Sequence, residues 1–356
     1  MGSGSRKLGV ALIGAGPFGS KRARAVAEHE QSRLVVVADS LPERAEALAK
    51  EWGCEVEPDW RRAVMRDDVQ AVVVSTPTPV LAEVSLLAVR SGKHTLAEKP
   101  FGRSSEEVRT LLEAALARGV HLKAGYNHRY HPAIRRAHEL CAQGAIGRPV
   151  FLRVIYGHGG RTGYEREWRT RTELSGGGEL MDQGVHALDL LRWFAGEFVE
   201  AAGMISTAFW PISPAEDNVF ALLRSKEGAL AQLHASWTEW KNAFQFEVFG
   251  EGGYLRVSGL GGSYGPESLC LGVRERLGEV PREQLFEFPG PDDSLLREWE
   301  AFVRAVLDGR KLESDGLDAL RTMLLVEAIY CAAREGCTVR VKEEPTATPC
   351  RVTAAG

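Results

Sequence analysis

The sequence predicts an α/β protein in two parts: an N-terminal doubly wound parallel sheet, then an α+β domain with a mainly antiparallel open sheet. Three observations carry this expectation. Apolar strand-like runs alternate with helical runs through the first third of the chain, as a parallel sheet with crossover helices requires. From Pro149 onward the runs have period-two character and are separated by glycine-rich turns such as Gly250-Glu251-Gly252-Gly253. A chain of 356 residues is also too long for one typical domain and suits two. The expected boundaries are residues 6–126 and 127–342, with a loose tail at 343–356, where Pro345 and Pro349 stand among small residues.

In chain order, the expected first half runs strand Val10 to Ile13, a helix from about Ser20, strand Leu34 to Ala38 and helix Pro42 to Trp52. It continues with strand Ala71 to Ser75, helix Leu81 to Ser91, strand Thr95 to Ala97, helix Ser104 to Arg118 and strand His121 to Ala124. The helix ends have a mechanism. Pro42 suits a first helical turn, Ser104 can cap with Glu107 three residues on, and Gly92 and Gly119 stand where helices stop. Pro132 to Leu140 reads as a connecting helix. Phe151 to Tyr156, Val219 to Leu223, Ala229 to Ser236 and Phe244 to Phe249 read as strands, and Leu295 to Leu307 and Leu317 to Ala333 as late helices.

The first strand runs into Gly14-Ala15-Gly16-Pro17-Phe18-Gly19, an alanine-rich helix follows, and the next strand ends at Asp39. This is a Rossmann dinucleotide fingerprint in its required context. Gly14 permits the tight turn out of the strand, Gly16 lets the backbone approach a pyrophosphate, and Gly19 lets the helix pack on the sheet, its N-terminal N–H groups facing the phosphates. Pro17 and Phe18, with Ser40 and Arg44 beside Asp39, complete this part of the candidate nucleotide site. The Asp39 carboxylate can accept from an adenine-ribose 2′-hydroxyl and would repel a 2′-phosphate, so NAD is expected over NADP, with Arg44 as the counterweight.

Ser75-Thr76-Pro77 and Glu98-Lys99-Pro100 follow later strands, at the carboxyl edge where open α/β sheets bind ligands, and Ser75, Thr76, Pro77, Glu98 and Lys99 are expected to contact the cofactor. Lys99 there is either a solvated charge or a functional cation. A cis Lys99-Pro100 bond is expected, because the chain must turn sharply to aim the lysine across the cleft.

The second informative stretch is Gly176-Gly177-Gly178 followed by a helix carrying Asp182 and His186. The glycines free the backbone to approach a ligand. An i, i+4 pair stacks on one helix face, where a carboxylate would orient the histidine and favour its charged form. The competing reading is a capping aspartate and a satisfied core histidine. Leu180, Leu188, Leu191 and Trp193 form the opposite, core face. Asn127, His128, Arg129 and Tyr130, at the domain crossover, either line the cleft or hydrogen-bond the linker. The loop holding Arg161, Tyr164, Glu165, Arg166, Trp168 and Arg169 has a composition suited to a polyhydroxylated ligand, and equally to solvent or a subunit contact.

Composition narrows the function. A net charge of -4 with 26% charged residues and no basic stripe argues against nucleic acid. The histidines show no HExxH or comparable ligand set, so no metal is expected. The six cysteines are scattered without CxxC spacing, as reduced thiols in a cytosol would be. The apolar run near the start stops at Ile13, too short for a signal h-region or a membrane span, and a cytoplasmic protein is expected.

Taken together, residues 8 to 342 resemble the glucose-fructose oxidoreductase, inositol dehydrogenase and rhizopine-catabolism family, Gfo/Idh/MocA. The likeness rests on the fingerprint, Ser75-Thr76-Pro77, Gly92-Lys93-His94 before Glu98-Lys99-Pro100, and Gly144-Ala145-Ile146-Gly147. It extends through the triple glycine with Asp182 and His186 to a closing segment, Gly316 to Val341. The resemblance implies catalytic roles for Lys99, Asp182 and His186, and a homodimer or homotetramer formed through the second domain's sheet. One departure is visible: a histidine common in the family four residues after the TP proline is Leu81 here. The expected activity is NAD(P)-dependent oxidation of a secondary hydroxyl of a sugar, aminosugar or cyclitol, or the reverse reduction. Lys99, Asn127, Arg129, Tyr156, Trp168, Asp182 and His186 are the expected walls of the substrate site. An NAD-assisted redox-neutral glycosidase and a non-catalytic dinucleotide sensor are the alternatives.

Overall fold

The structure, a computed structural model, describes residues 7–342. The proposed tail at 343–356 lies outside the described residues. In the first half, β1 (Leu8–Ile13), β2 (Ser32–Ala38), β3 (Glu55–Val56), β4 (Ala71–Val74), β5 (His94–Ala97) and β6 (Leu122–Ala124) form one sheet in the order β3-β2-β1-β4-β5-β6. Every pairing in it is parallel. Crossovers run through α1 (Pro17–Glu28), α2 (Pro42–Trp52), α3 (Trp60–Met65), α4 (Thr78–Arg90) and α5 (Ser105–Arg118). Ser104 caps α5 by accepting from the Glu107 amide. The order reverses between β1 and β4, which opens a crevice at their carboxyl ends.

After α6 (Pro132–Ala142), β7 (Pro149–Gly157) enters the second sheet, followed by α7 (Thr172–Ser175) and α8 (Val185–Ala195). The sheet is completed by β8 (Phe198–Ser206), β9 (Asn218–Ser225), β10 (Leu230–Ser236), β11 (Ala243–Gly250), β12 (Gly253–Ser258), β13 (Glu267–Val273), β14 (Arg282–Phe288) and β15 (Val339–Arg340). Its order is β14-β13-β12-β11-β7-β10-β9-β8-β15, antiparallel except for β7 beside β10. Strands β8, β12, β13 and β14 escape the sequence reading. Arg282–Phe288 shows why: its side chains are half-buried or exposed throughout, so a polar edge strand carries no apolar alternation.

Helices α6, α8 and α10 (Gly316–Glu335) cover one face of this sheet. On the other, Met204, Phe220, Leu222 and Leu230 are exposed. Helix α9 (Ser294–Asp308) crosses back to the first sheet. Leu295, Trp299, Phe302 and Val303 pack with Val10, Leu12, Val37 and Leu96, and Trp299 Nε1 donates to Ser32 Oγ at 2.9 Å. A second core runs from the opposite face of the first sheet through α5 and α10 into the large sheet. The two halves therefore share their packing, which fixes the width of the cleft between them. Among the described residues no helix is long and apolar enough to cross a membrane, and Cys54, Cys141, Cys270, Cys331 and Cys337 are free thiols.

Two histidines outside the cleft make stability pH-dependent. His138 stacks on Trp193 at 3.6 Å, and burial lowers its pKa from 6.5 to about 4. His94 is likewise lowered to about 4, by burial and by neighbouring His121. Because the folded state depresses both values, the unfolded chain binds their protons first. Their contribution is present above about pH 6.5 and lost as the pH falls through about 4. Melting temperatures should fall across that window, and His138→Phe should flatten the slope by up to about one proton's worth. An unchanged slope in that variant would show that His138 is not a source.

Candidate active site

A cleft of about 990 Å³ opens over the carboxyl ends of the first sheet and is closed on its far side by the second half. Its near wall begins where β1 ends. Gly14 has φ 97°, and a Cβ there would lie 2.4 Å from the Ser75 carbonyl oxygen. A Cβ on Gly19 would lie 2.0 Å from the Gly14 oxygen, whereas one on Gly16 would meet nothing within 4 Å. Gly14 and Gly19 thus serve the fold, and Gly16 borders open space at the N-terminus of α1, where a pyrophosphate would need backbone access. Asp39, at the end of β2, accepts from the Ala15 amide at 2.5 Å and the Leu41 amide at 2.8 Å. Its carboxylate is thereby held at the mouth of the loop. Ser40 and Arg44 are exposed beside it, and Pro17, Phe18, Ser75, Thr76 and Pro77 line the same wall. The donor set fits a dinucleotide: an open glycine edge, a helix N-terminus and an acid at the second strand's end.

Glu98 reaches the cleft edge while facing inward. Its carboxylate accepts from Arg22 Nε at 2.6 Å, Arg22 also donates to Glu298 at 2.6 Å, and Lys123 lies 3.4 Å from Glu298. This buried group of two cations and two carboxylates ties α1, the β5 edge, β6 and α9 together. Lys99, the next residue, points across the cleft. The Lys99-Pro100 peptide bond is cis. Lys99 Nζ donates to the Asp182 carbonyl oxygen and, at 3.0 Å, to its carboxylate. The other carboxylate oxygen is 3.5 Å from the Tyr164 hydroxyl and 3.5 Å from Arg169 Nε. Burial opposes ionisation of Asp182, but the Lys99 and Arg169 cations outweigh it and hold the carboxyl down to about 2.

The segment bearing Asp182 is shaped by residues remote in sequence. Leu180–Gly184 is a π-helical turn running into α8. Glu216, buried, accepts from the Gly178 amide at 3.0 Å, the Leu180 amide at 3.0 Å and the Tyr330 hydroxyl at 2.7 Å. A Cβ on Gly177 would lie 2.0 Å from that hydroxyl, and one on Gly178 2.1 Å from the Glu216 carbonyl oxygen. The triple glycine therefore admits protein neighbours, not a ligand, correcting the expectation from sequence.

The π turn also breaks the expected partnership of Asp182 with His186. Among the described residues no hydrogen bond or ion pair joins them, because Asp182 is engaged by Lys99. His186 instead stacks on His128, ring centroids 3.8 Å apart and planes 16° from parallel. Its pKa is moved well below the ordinary value, first by burial and then by His128 and Lys99, the reverse of the expected direction. Arg129 is a second correction. It is buried, donating to Asp189 at 2.7 Å and Asp318 at 3.0 Å, and braces α8 against α10 away from the cleft. Asn127, Tyr156 and Trp168 do line the cleft. Asn127 also donates to Ser294 Oγ at 3.0 Å. Leu81 is buried in the first domain's core.

Sequence reading missed Gln183 and Tyr264, which line the cleft and share a 2.7 Å hydrogen bond, and Trp60 beside the nucleotide wall. Gln183 stood next to Asp182 and could have been found there. Tyr264 and Trp60 carried no signal beyond lying near glycine and proline turns.

Fold and cleft define an NAD-dependent oxidoreductase. Residues 8–126 match the model of the oxidoreductase family with an NAD-binding Rossmann fold, and residues 134–256 match the GFO/IDH/MocA C-terminal domain. The chain belongs to the Gfo/Idh/MocA family. It is 31% identical to 1,5-anhydro-D-fructose reductase of Ensifer adhaerens, over 68% of this chain and 74% of that protein. It is 28% identical to 2,7-anhydro-N-acetylneuraminate hydratase of Mediterraneibacter gnavus, over 72% of this chain and 67% of that protein. The solved structure of levoglucosan dehydrogenase in complex with NADH and levoglucosan shares the fold, with a TM-score of 0.88 over 95% of this chain and 100% of that one, at 23% identity.

The different surroundings of the glycines give a separable expectation. Gly16→Ala should fold and melt like the parent while weakening NADH binding at least about tenfold, since only the ligand needs that space. Gly19→Ala should lower the melting temperature instead. Equal NADH affinity for parent and Gly16→Ala, by fluorescence titration, would remove the pyrophosphate from this position.

Proposed function

We propose that the protein oxidises a secondary hydroxyl of a sugar, aminosugar or cyclitol, or reduces the corresponding ketone, with the reacting carbon held between Lys99 and His186. The observation that supports it most is the convergence, in one cleft, of a cation from the first sheet's edge and a buried imidazole from the second half. The bound nicotinamide would supply the hydride acceptor, or the donor in reverse. Gly16, Pro17 and Phe18 would hold its phosphates on the loop that Gly14 and Gly19 shape, Asp39, Ser40 and Arg44 the adenosine ribose, and Ser75, Thr76 and Pro77 the nicotinamide side.

His186, neutral because it is buried among cations, accepts the hydroxyl proton. Lys99, held in place by Asp182, stabilises charge developing on the substrate oxygen. Asp182 keeps Lys99 aimed and offers its carboxylate to ring hydroxyls. Tyr156, Trp168 and Asn127 supply apolar surface and hydrogen bonds, the mixture a polyol ring needs. Asp39 favours NAD over NADP by repelling a 2′-phosphate. Self-association through the large sheet belongs to the same proposal, supported by its exposed apolar residues. The hydratase among the relatives favours one second reading, a reaction in which transient oxidation leaves no net change in the cofactor.

Absorbance at 340 nm against a panel of sugars, aminosugars and cyclitols, with product analysis, separates the two readings. Lys99→Ala and His186→Ala should each lower kcat about 100-fold or more with dinucleotide affinity nearly unchanged. Near-normal turnover in either variant would contradict the assigned role. Asp39→Ala should relax the cofactor preference, and a higher kcat/KM with NADP in the parent would overturn the NAD assignment.

A further inference from the structure

His128 has no part in the chemistry described so far, yet it is the group nearest the ring of His186. It arrives from the linker turn Asn127–Tyr130, and both rings belong to residues only 5% exposed. The stack is face to face at 3.8 Å and 16°. His128 Nδ1 lies 3.3 Å from the Asn127 side-chain oxygen, which accepts from it when the proton of the neutral ring sits on Nδ1. That leaves His128 Nε2 as its basic nitrogen, buried and without a partner, as is Nδ1 of His186. Each ring thus offers a protonation site with no acid or base bonded to it.

The other groups around His186 do not relieve the pair. Lys99 and Arg22 are cations, His131 is a third imidazole 5.6 Å from the ring of His128, and Tyr126 meets the His186 ring edge-on at 5.9 Å as a neutral phenol whose ionisation burial opposes. Of the nearby carboxyl groups, Asp182 is engaged by Lys99, Asp189 by Arg129, Glu98 by Arg22 and Glu267 by His131 at 2.6 Å, while Glu179 is buried with neither oxygen partnered and its ionisation is opposed by that burial. Two imidazolium rings at the observed separation, even in a site as polarisable as a protein edge, would bind the second proton about a thousandfold more weakly than the first.

We propose that His128 and His186 form a coupled pair that holds one proton and not two, with His128 a positioning residue that keeps His186 available as a base. This rests on the assignment of His186 as the proton acceptor. When the pH falls, the first proton is divided between the rings, and in the molecules where His128 carries it His186 remains neutral. Acid inactivation of the oxidation reaction is therefore incomplete over the range in which a lone histidine would be fully protonated. If the rings share the first proton equally, one pH unit below the midpoint about half the molecules keep a neutral His186, about sixfold more than for an isolated ring.

The test is His128→Phe, which keeps an aromatic face on His186 but cannot be protonated, with His128→Asn as a second variant that needs no aromatic packing. In the NAD-bound protein, the His186 ring signal is assigned by its loss in His186→Gln and followed by NMR against pH. The proposal expects two partial steps in the parent and a single complete step in both variants. Relative to its own neutral-pH plateau, kcat/KM should show an acid shoulder in the parent that both variants lack, with about a sixfold difference one pH unit below the midpoint. A single His186 step in the parent, unchanged by removing His128, would overturn the coupling. If His186→Gln instead retains turnover and the acid limb, the base assignment fails, while the NMR arm still decides whether the rings share a proton.

Discussion

The ion pair between Lys99 and Asp182 is the contact on which the site's geometry depends. It crosses the cleft, joining the carboxyl edge of the first sheet to the π turn that leads into α8, and each partner is anchored from behind. Glu98 is locked to Arg22, which also holds Glu298, so the strand end carrying Lys99 has little freedom. Glu216 holds the amides of Gly178 and Leu180, so the turn carrying Asp182 has little either. Removing one partner of a buried pair leaves a charge without compensation, typically at a cost of about 3–5 kcal/mol. The cleft lets water reach Lys99 and Asp182, which softens that penalty at the pair itself; the Arg22 cluster behind it is shielded and has no such relief.

This arrangement divides the electrostatics of the cleft. Asp182, Asp189 and Glu98 are each paired with a cation and burial disfavours the ionised form of Glu179, leaving His186 among positive neighbours and a second imidazole. A histidine in that setting stays neutral, which leaves it free to accept a proton in the proposed reaction and quick to release it before the next turnover, at some loss of basicity. The same surroundings would make its protonated form a strong acid in the ketone-reducing direction.

The nucleotide wall was legible in the sequence because its determinants are local: a strand, three glycines and an acid each have one physical task, and the structure gives Gly14, Gly16 and Gly19 three different surroundings. Of the candidate substrate wall, which residues line the cleft was more legible than the contacts they make. Lys99, Asp182 and His186 converge, but the inferred partnership of the last two assumed a regular helical period, and the π turn removes it. Arg129 was placed at the ligand because an arginine at a domain crossover gives no hint that Asp189 and Asp318 will meet it. The triple glycine read as room for a ligand because Glu216 and Tyr330, which fill that room, lie far along the chain. The His128 stack likewise depends on the angle at which the linker meets α8, a tertiary fact with no period in sequence.

In the proposed reaction this cleft brings a carbinol carbon of a polyol against the nicotinamide while Lys99 and His186 handle the oxygen. The most direct measurement is single-turnover incubation of the protein with NAD and polyols bearing deuterium at each carbinol carbon in turn, followed by mass spectrometry of the cofactor. One deuterium at nicotinamide C4, from one carbon of a true substrate, is the expected result. Conversion of a polyol to product with no label reaching the cofactor, even transiently, would contradict the account.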